Sequence, residues 1–303
     1  MTTATATTMR DAFTHTLNAA IERDERVGLV TAVISADRFA AAADRFPDRV
    51  VDVGIREQAM VGVASGLALT GKRVVVHTYV PFLVERAFEQ IKLDFSHQGV
   101  TPVLVSIGAS YDDPSTGRTH QSPGDVPLID TLPGYTIHVP GHAAEVEPLL
   151  TAALAGDDPV YLRLSTRENA APRPIGQGLV PLRHGGLGVV VAVGPVLDQV
   201  LAATEGLDVT VLYTATARPF DHVGLRAAVD AAAPNVVMVE PYLRGTSAAE
   251  VATALVDVPH RQLGLGVLRD AEVHAYGLPA EHDAVHGLDP GGIRRALIGF
   301  LPG

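Results

Sequence analysis

Cysteine and tryptophan are absent from the 303-residue sequence, and no block of lysine or arginine stands out. The missing cysteines exclude disulfides, thiolate zinc sites and a cysteine nucleophile. With a formal net charge of -11, the chain lacks the clustered cations that nucleic-acid binding requires. The uncharged stretch after Glu57 ends at Lys72, short of the ~20 apolar residues that cross a bilayer. The start, MTTATATTMRDAF, lacks the regions of a secretory signal. We expect a cytoplasmic protein that binds neither nucleic acid nor membrane.

Apolar runs are plentiful, because hydrophobic residues make up 47% of the chain and charged residues 19%. Short β-branched runs alternate with Ala- and Leu-rich segments. In the first half, the predicted strands are 28–34, 73–77, 102–107, 135–139 and 160–164. The predicted helices between them are 9–22, 56–70, 82–97 and 143–155. Continuously apolar strands are typical of a parallel sheet covered on both faces, so this half is predicted to be an α/β domain.

Prolines and glycines crowd the stretch AAPRPIGQGLVPLRHGGLG, residues 170–188, which we interpret as a linker. After it the alternation resumes with predicted strands 188–193, 208–212 and 235–239. The predicted helices of this part are 195–205, 221–232, 246–256 and 291–301. We therefore expect two domains, residues 1–170 and 188–303, joined by residues 171–187.

An acid begins a helix that is otherwise small and apolar, in VGIREQAMVGVASGLALTG, residues 53–71. Gly62 and Gly66 are four residues apart and would let another backbone approach closely, although an ordinary core helix has a similar pattern. A buried carboxylate such as that of Glu57 is costly unless a partner or ligand satisfies it. Capping of the helix start is the plain alternative.

Four further residues are candidates for binding or proton transfer. Tyr79 and Phe82 are three residues apart, a spacing that fits core packing or a stacking platform for a flat ligand. His120 lies in the polar loop TGRTHQSPGD, and Arg167 follows a predicted strand, where it could anchor an anion; both could equally be surface residues. His282 and His286 are four apart, but no third ligand is evident, so no metal site is predicted.

The order of these pieces resembles the transketolase family of thiamin-diphosphate enzymes, and in particular the small subunit of split transketolases. The matching text is FPDRVVDVGIREQAMVGVASGLALTGKRVVVHTYVPFLVERAFEQI, then GRTHQ, LPGYTIHVPGHAAEV and YLRLSTREN. VVMVEPYLRGTSAAEVA and HGLDPGGIRRAL are similar to the family's C-terminal pattern. The resemblance implies a pyrimidine-binding domain followed by a smaller transketolase C-terminal-like α/β domain.

The resemblance also assigns roles to residues. In the family, the acid of GIREQ, here Glu57, hydrogen-bonds the aminopyrimidine of the cofactor and so promotes activation of the thiazolium C2. Tyr79 and Phe82 match the aromatic pocket around the pyrimidine, and His120 matches a His that faces cofactor and substrate. Arg10 and Arg167 match positions that hold a substrate phosphate.

No Gly-Asp-Gly segment followed by an Asn-containing stretch is visible, so the resemblance implies that the diphosphate and its Mg²⁺ (or Ca²⁺) lie on a separate large subunit. We expect a chain that binds no metal itself, self-associates, pairs with that subunit as an α2β2 assembly and is active only with it. The implied reaction moves a two-carbon ketol unit between a ketose and an aldehyde.

Departures from the family pattern lie at the sugar-binding end. Val33 stands where the family usually has Asp, and a His kept near Gly108 is missing. Thr116 and Arg118 replace the Asp and Pro of an Asp-Gly-Pro string. We therefore hypothesise an unusual sugar or sugar-phosphate-like substrate.

Three other functions remain open at this point. The β subunit of a 2-oxo acid dehydrogenase shares the two-domain plan and the activating acid. A deoxyxylulose-phosphate-synthase-like enzyme is related but is usually one longer chain. A catalytically silent subunit would only complete the fold of a partner.

Overall fold

Two twisted sheets form the framework of the chain in a computed structural model that describes residues 8–176 and 178–302. We call residues 8–170 the N-terminal half and residues 178–302 the C-terminal half. The strands are β1 Val27–Thr31, β2 Val50–Asp52, β3 Arg73–Tyr79, β4 Val103–Ile107, β5 Thr136–His138, β6 Val160–Arg163, β7 Val180–Arg183, β8 Val189–Val193, β9 Thr210–Thr214, β10 Thr216–Arg218, β11 Asn235–Leu243 and β12 Arg261–Val267.

Helices of varied length connect the strands. They are α1 Met9–Arg23, α2 Ala40–Arg45, α3 Glu57–Leu69, α4 Phe88–Gln90, α5 Asp125–Ile129, α6 Ala143–Ala155, α7 Leu197–Ala203, α8 His222–Asp230, α9 Ala248–Ala254, α10 Pro279–His286 and α11 Pro290–Phe300. The short α4 is flanked by π-helical turns, Pro81–Glu85 and Ile91–His97, so residues 81–97 form one helical segment. All predicted helices are confirmed; α2, α5 and α10 were not predicted.

The first sheet has seven strands in the order β10-β5-β6-β4-β3-β1-β2. All neighbours are parallel except β10 and β5, and Leu29 of β1 lies between Val50 of β2 and Val75 of β3. Its strands β1, β4 and β6 are buried along their whole length, as expected of a sheet covered on both faces. The parallel α/β fold and the five predicted strands are therefore confirmed. The first strand ends at Thr31 rather than at residue 34, because Val33 turns to φ 69°.

The second sheet has five strands in the order β12-β11-β8-β9-β7, all parallel except the pair β7 and β9. Its three predicted strands are confirmed, whereas β7 and β12 at the edges were not predicted. Residues 180–183 of the predicted linker form the edge strand β7, and residues 216–218 return to the first sheet as β10. The two halves are thus interleaved at β10, and the predicted domain bounds remain a prediction.

Each sheet is covered by helices on both faces. On one side, α1 and α6 cover the first sheet and α7 and α11 the second, in one continuous apolar core. On the other side, α3, residues 81–97 and α5 cover the first sheet, and α8 and α9 the second. No helix within the described residues is long and apolar enough to span a membrane.

Candidate active site

The predicted site residues lie at the carboxyl edge of the first sheet. The chain runs from β1 outward to β2 and then returns to β3 on the other side of β1, so the loops after β1 and β3 diverge there. Ligands of open α/β sheets bind in the crevice at such a point. Glu57 begins α3 after the loop that follows β2, and Tyr79 is the last residue of β3.

Glu57 has a buried carboxylate with one protein partner. The residue is 2% exposed, and its Oε2 accepts a hydrogen bond of 2.8 Å from Nη1 of Arg86, whose side chain is 42% exposed. No other described side chain or backbone group donates to the carboxylate, so Oε1 is left without a donor among residues 8–176 and 178–302. Oε1 is not among the fully buried polar atoms that lack a partner, so it is open at the surface of the chain and can accept a hydrogen bond from a ligand.

Three aromatic rings form a cluster beside this acid. The ring centroids of Tyr79 and Phe82 are 6.1 Å apart, and the His120 ring lies 5.6 Å from Tyr79 and 5.2 Å from Phe82. All three contacts are edge-to-face. The Arg86 guanidinium lies 4.3 Å from the centroid of Phe82, and so connects the acid to the aromatic cluster.

A glycine makes room for the Tyr79 ring. Gly108 follows β4 with φ +77°, and a Cβ placed there would lie 2.7 Å from Tyr79 Cε1. Any side chain at this position would displace the ring, so the close approach depends on glycine.

Arg10 lies in a second polar group that includes a buried histidine. Its Nε donates to Ser35 Oγ at 3.0 Å, and Ser35 Oγ lies 2.9 Å from His77 Nε2. His77 Nδ1 donates to the Val105 carbonyl at 2.8 Å, so Nε2 is the acceptor and the Ser35 hydroxyl donates to it. Burial lowers the pKa of His77 to about 4, which keeps the ring neutral at pH 7. The chemistry of His77 was missed from sequence, where its only signal is a polar residue at the carboxyl end of an apolar strand.

Arg167 is already paired with the C-terminal half. Its guanidinium forms two bonds to the Asp283 carboxylate, of 2.6 and 2.8 Å, and the Tyr111 hydroxyl donates to the same carboxylate at 2.8 Å. His282 and His286 pack their rings on Tyr111 at 5.3 and 5.2 Å. Within the described residues, no group of three or more His, Cys, Asp or Glu could hold a metal ion.

The predicted site residues thus fall into two groups. Glu57, through its partner Arg86, is joined to the aromatic cluster of Tyr79, Phe82 and His120. Arg10 and Arg167 lie on neighbouring segments, since Glu168 accepts a 3.0 Å hydrogen bond from the Met9 N–H. Each arginine is bonded to an acceptor of the chain itself.

The outward side of α3 carries an apolar stripe that no side chain of the described residues covers. Val63 and Leu69 of α3 are exposed, and Ile55, which lies just before the helix, is 74% exposed. A Cβ at Gly66 would meet nothing within 4 Å, and one at Gly62 only the Asp94 carboxylate at 3.7 Å. The residues that the structure describes therefore give no packing reason for glycine at either position, although glycine costs about 1 kcal/mol in a helix interior.

Comparison with known proteins places this architecture among thiamin-diphosphate enzymes. The profile of the transketolase pyrimidine-binding domain matches residues 5–171. An uncharacterized 33.6 kDa protein in the fasciation locus of Rhodococcoides fascians is 53% identical over 97% of this chain and 95% of its own length. The 6-deoxy-6-sulfo-D-fructose transketolase subunit SqwH of Clostridium sp. (strain MSTE9) is 30% identical over 85% of this chain and 84% of its own length.

Longer relatives match over part of their length. The 1-deoxy-D-xylulose-5-phosphate synthase of Acidovorax ebreus (strain TPSY) is 33% identical over 93% of this chain, yet the match spans only 46% of that enzyme. Among solved structures, a split-gene transketolase described as an inactive β4 tetramer superposes with a TM-score of 0.81, at 23% identity and 98% coverage of both chains. That likeness concerns the fold.

Proposed function

Because the chain belongs to the transketolase family, we propose that it is the small subunit of a split, thiamin-diphosphate-dependent enzyme that transfers a two-carbon ketol unit. The observation that carries the proposal is the Glu57 carboxylate at the start of α3: the residue is 2% exposed, and its Oε1 has no donor among the described residues. Its partner Arg86 lies over Phe82, so the acid is connected to the aromatic cluster. An acid beside aromatic rings supports a flat heterocycle as the ligand.

The chain's residues fit the pyrimidine half of the cofactor. Glu57 Oε1 would bond a ring nitrogen, while Arg86 holds Oε2 and so fixes the orientation of the carboxylate. Tyr79 and Phe82 would enclose the ring, and His120, which packs against both, would hold or move a proton at the substrate oxygen. Thiamin diphosphate, when bound, supplies the carbon nucleophile that carries the two-carbon unit.

The diphosphate half of the cofactor requires a second polypeptide in this proposal. Within the described residues no cluster of metal ligands is present that could hold the accompanying Mg²⁺ or Ca²⁺. The uncovered stripe on α3 begins beside Glu57, and its glycines would let a partner helix approach closely. We propose that a large subunit supplies the diphosphate site and that the small subunits also associate with each other, as α2β2.

The substrate is proposed to be a sugar or a sugar-phosphate-like molecule. Arg10 and Arg167 remain the proposed anchors of its anionic end. To bind it, Arg10 would have to give up its hydrogen bond to Ser35, and Arg167 its ion pair with Asp283. A second candidate reaction is a condensation like that of the 1-deoxy-D-xylulose-5-phosphate synthases, which is favoured by the relative that is 33% identical to this chain.

The test is reconstitution with a large subunit encoded beside this chain. We expect no thiamin-dependent turnover from the chain alone, and turnover that rises with added large subunit until the two are equimolar. Donor and acceptor screens with the pair would then separate ketol transfer from formation of a 1-deoxyketose. Turnover by the chain alone would contradict the proposal.

A further inference from the structure

The loop that carries His120 is held by both halves of the chain, and its middle by the C-terminal half. We call residues 110–122 the His120 loop; its ends meet where Ser122 N donates to the Ser110 carbonyl at 3.0 Å. At the start of the loop, Ser110 Oγ donates to the Pro241 carbonyl, and the Tyr111 hydroxyl donates to Asp283. Just after the loop, Leu243 N donates to the Pro123 carbonyl at 2.9 Å. Both ends of the loop are therefore fixed to β11 or α10.

Arg118 connects the middle of this loop to the C-terminal half. Its Nε donates to Glu272 Oε1 at 2.8 Å, and its Nη1 donates to the Gln121 carbonyl at 2.6 Å. Gln121 directly follows His120, so a single guanidinium links the C-terminal half to the backbone that carries the imidazole. Bonds in which the donor is a charged guanidinium are stronger than neutral ones.

The ring of Tyr276 covers Gly117, the residue just before Arg118. Gly117 takes φ +78°, and a Cβ placed there would lie 2.9 Å from Tyr276 Cε1. Tyr276 follows Glu272 in the same segment between β12 and α10, so this segment contacts two successive residues of the His120 loop.

The N-terminal half holds the loop at both of its ends. At the start, Arg163 Nη2 donates to Ser110 Oγ at 2.7 Å, and the Asp112 carboxylate accepts from Ser165 Oγ at 2.7 Å and from the Thr166 N–H at 2.8 Å. Ser122 Oγ donates to Glu85 Oε1 at 2.8 Å, and the His120 ring rests against Tyr79 and Phe82. Between its two ends, the loop is contacted at Gly117 and Arg118 by Tyr276 and Glu272 of the C-terminal half.

We propose that Arg118 and Glu272 are positioning residues, through which the C-terminal half sets the place of His120 in the active site. The inference rests on the proposed function, in which His120 faces cofactor and substrate. The Arg118–Glu272 ion pair is half-exposed, at 51% and 53%, so by itself it contributes little to folding stability. Its effect is local, because it acts on one loop.

Deuterium exchange of the peptide that spans residues 113–122 tests the positioning in the full chain. Glu272→Gln is expected to speed exchange about two- to fivefold, as the loss of an exposed ion pair predicts. Arg118→Ala removes the Gln121 bond as well and should speed exchange about tenfold. Glu272→Asp keeps the carboxylate and should restore most of the protection.

Asp257→Asn is the matched control, because Asp257 forms a surface ion pair with Arg226 far from the His120 loop in sequence. It should leave the exchange of residues 113–122 unchanged. In the reconstituted pair, Glu272→Gln and Arg118→Ala should lower kcat in the same order as they loosen the loop, with the KM for thiamin diphosphate unchanged.

Two results would overturn the inference: exchange as slow as in the wild type in both variants, or a loosened loop with an unchanged kcat. The exchange measurement needs no turnover. If the wild-type pair were inactive, the proposed function would fail, while a wild-type exchange rate in the variants would still refute the contact between the halves.

Discussion

The two ends of the candidate site differ in what their polar atoms already bind. At the acid end, formed by Glu57, Tyr79, Phe82 and His120, one oxygen of the Glu57 carboxylate has no donor among the described residues. At the arginine end, the Arg10 guanidinium is bonded to Ser35 and the Arg167 guanidinium to Asp283.

This difference indicates which end is prepared for a ligand. An acceptor without a donor in the chain can take a hydrogen bond from a ligand without breaking an existing one, so the acid end gains a bond on binding. An anion at the arginine end must compete with acceptors that the chain already provides. The proposed cofactor end is therefore open to a ligand in the chain alone, whereas the proposed substrate end depends on rearrangement.

The largest expected effect lies at the acid end. Glu57→Gln keeps the size of the side chain but removes the group that can exchange a proton with the cofactor. Turnover of the reconstituted pair should fall about 10² to 10⁴-fold, the usual contribution of acid–base catalysis. The measurement is kcat under saturating thiamin diphosphate.

Glu89→Gln is the control, because Glu89 is an exposed acid on the helical segment 81–97. It should leave kcat within a factor of about two, as expected for a surface substitution. If Glu57→Gln behaved in the same way, the comparison between the two ends would have no functional meaning.

At the arginine end, Asp283→Ala should destabilise the fold. The substitution leaves Arg167 and the Tyr111 hydroxyl without their shared acceptor, so the free energy of unfolding should fall by about 3 kcal/mol. Urea unfolding of the chain measures it. The same variant frees Arg167, so the KM for an anionic substrate should fall.

Asp270→Ala is the matched control, because Asp270 pairs with Arg244 at the surface and should cost under about 1 kcal/mol. Equal losses in the two variants would show that the Arg167 pair is no stronger than a surface pair.

His77 should make the arginine end sensitive to pH. Burial lowers its pKa to about 4 from the model-peptide value of 6.5, so the unfolded chain binds more protons between these values. The stability contributed by neutral His77 is present above pH 6.5 and is lost as the pH falls towards 4. His77→Asn should therefore reduce the loss of unfolding free energy between pH 7 and 5 by about 1 to 2 kcal/mol, measured by urea unfolding.

The exposed His97 gives the comparison for this experiment. His97→Asn should leave the loss between pH 7 and 5 as in the wild type. A wild-type pH dependence in the His77 variant would mean that the His77 ring is not held neutral in the folded chain.

The smallest effect is expected on the stripe of α3. Because a Cβ at Gly66 would meet no described atom within 4 Å, Gly66→Ala should stabilise the isolated chain by about 1 kcal/mol. The added methyl should at the same time weaken association, measured by sedimentation. Stabilisation with unchanged association would argue that α3 is not an interface.

Sequence patterns predicted the framework well where the signal was local. Continuous apolar strands such as β1 and β4 and the helix at Glu57 are confirmed within a few residues. The strand β12 was missed because RQLGLGV carries two glycines, which favour strands poorly. The structure explains the two glycines, since a Cβ at Gly264 or Gly266 would collide with the backbone of residues 242–245.

The candidate site was predictable only in part, for a related reason. Glu57, Tyr79 and Phe82 lie in one stretch of matching sequence, so their proximity could be expected. The pairing of Arg167 with Asp283 joins residues 116 positions apart, and no local pattern indicates it. The same holds for Arg118 and Glu272, which meet only because the two halves pack together.

Exchange of the thiazolium C2 proton of bound thiamin diphosphate for deuterium, followed by NMR in the reconstituted pair, tests the central role of Glu57 most directly. With wild-type chain we expect exchange at least as fast as turnover, and with Glu57→Gln exchange about 100-fold slower or more. Equally fast exchange in both would contradict the assignment of Glu57 as the activating acid.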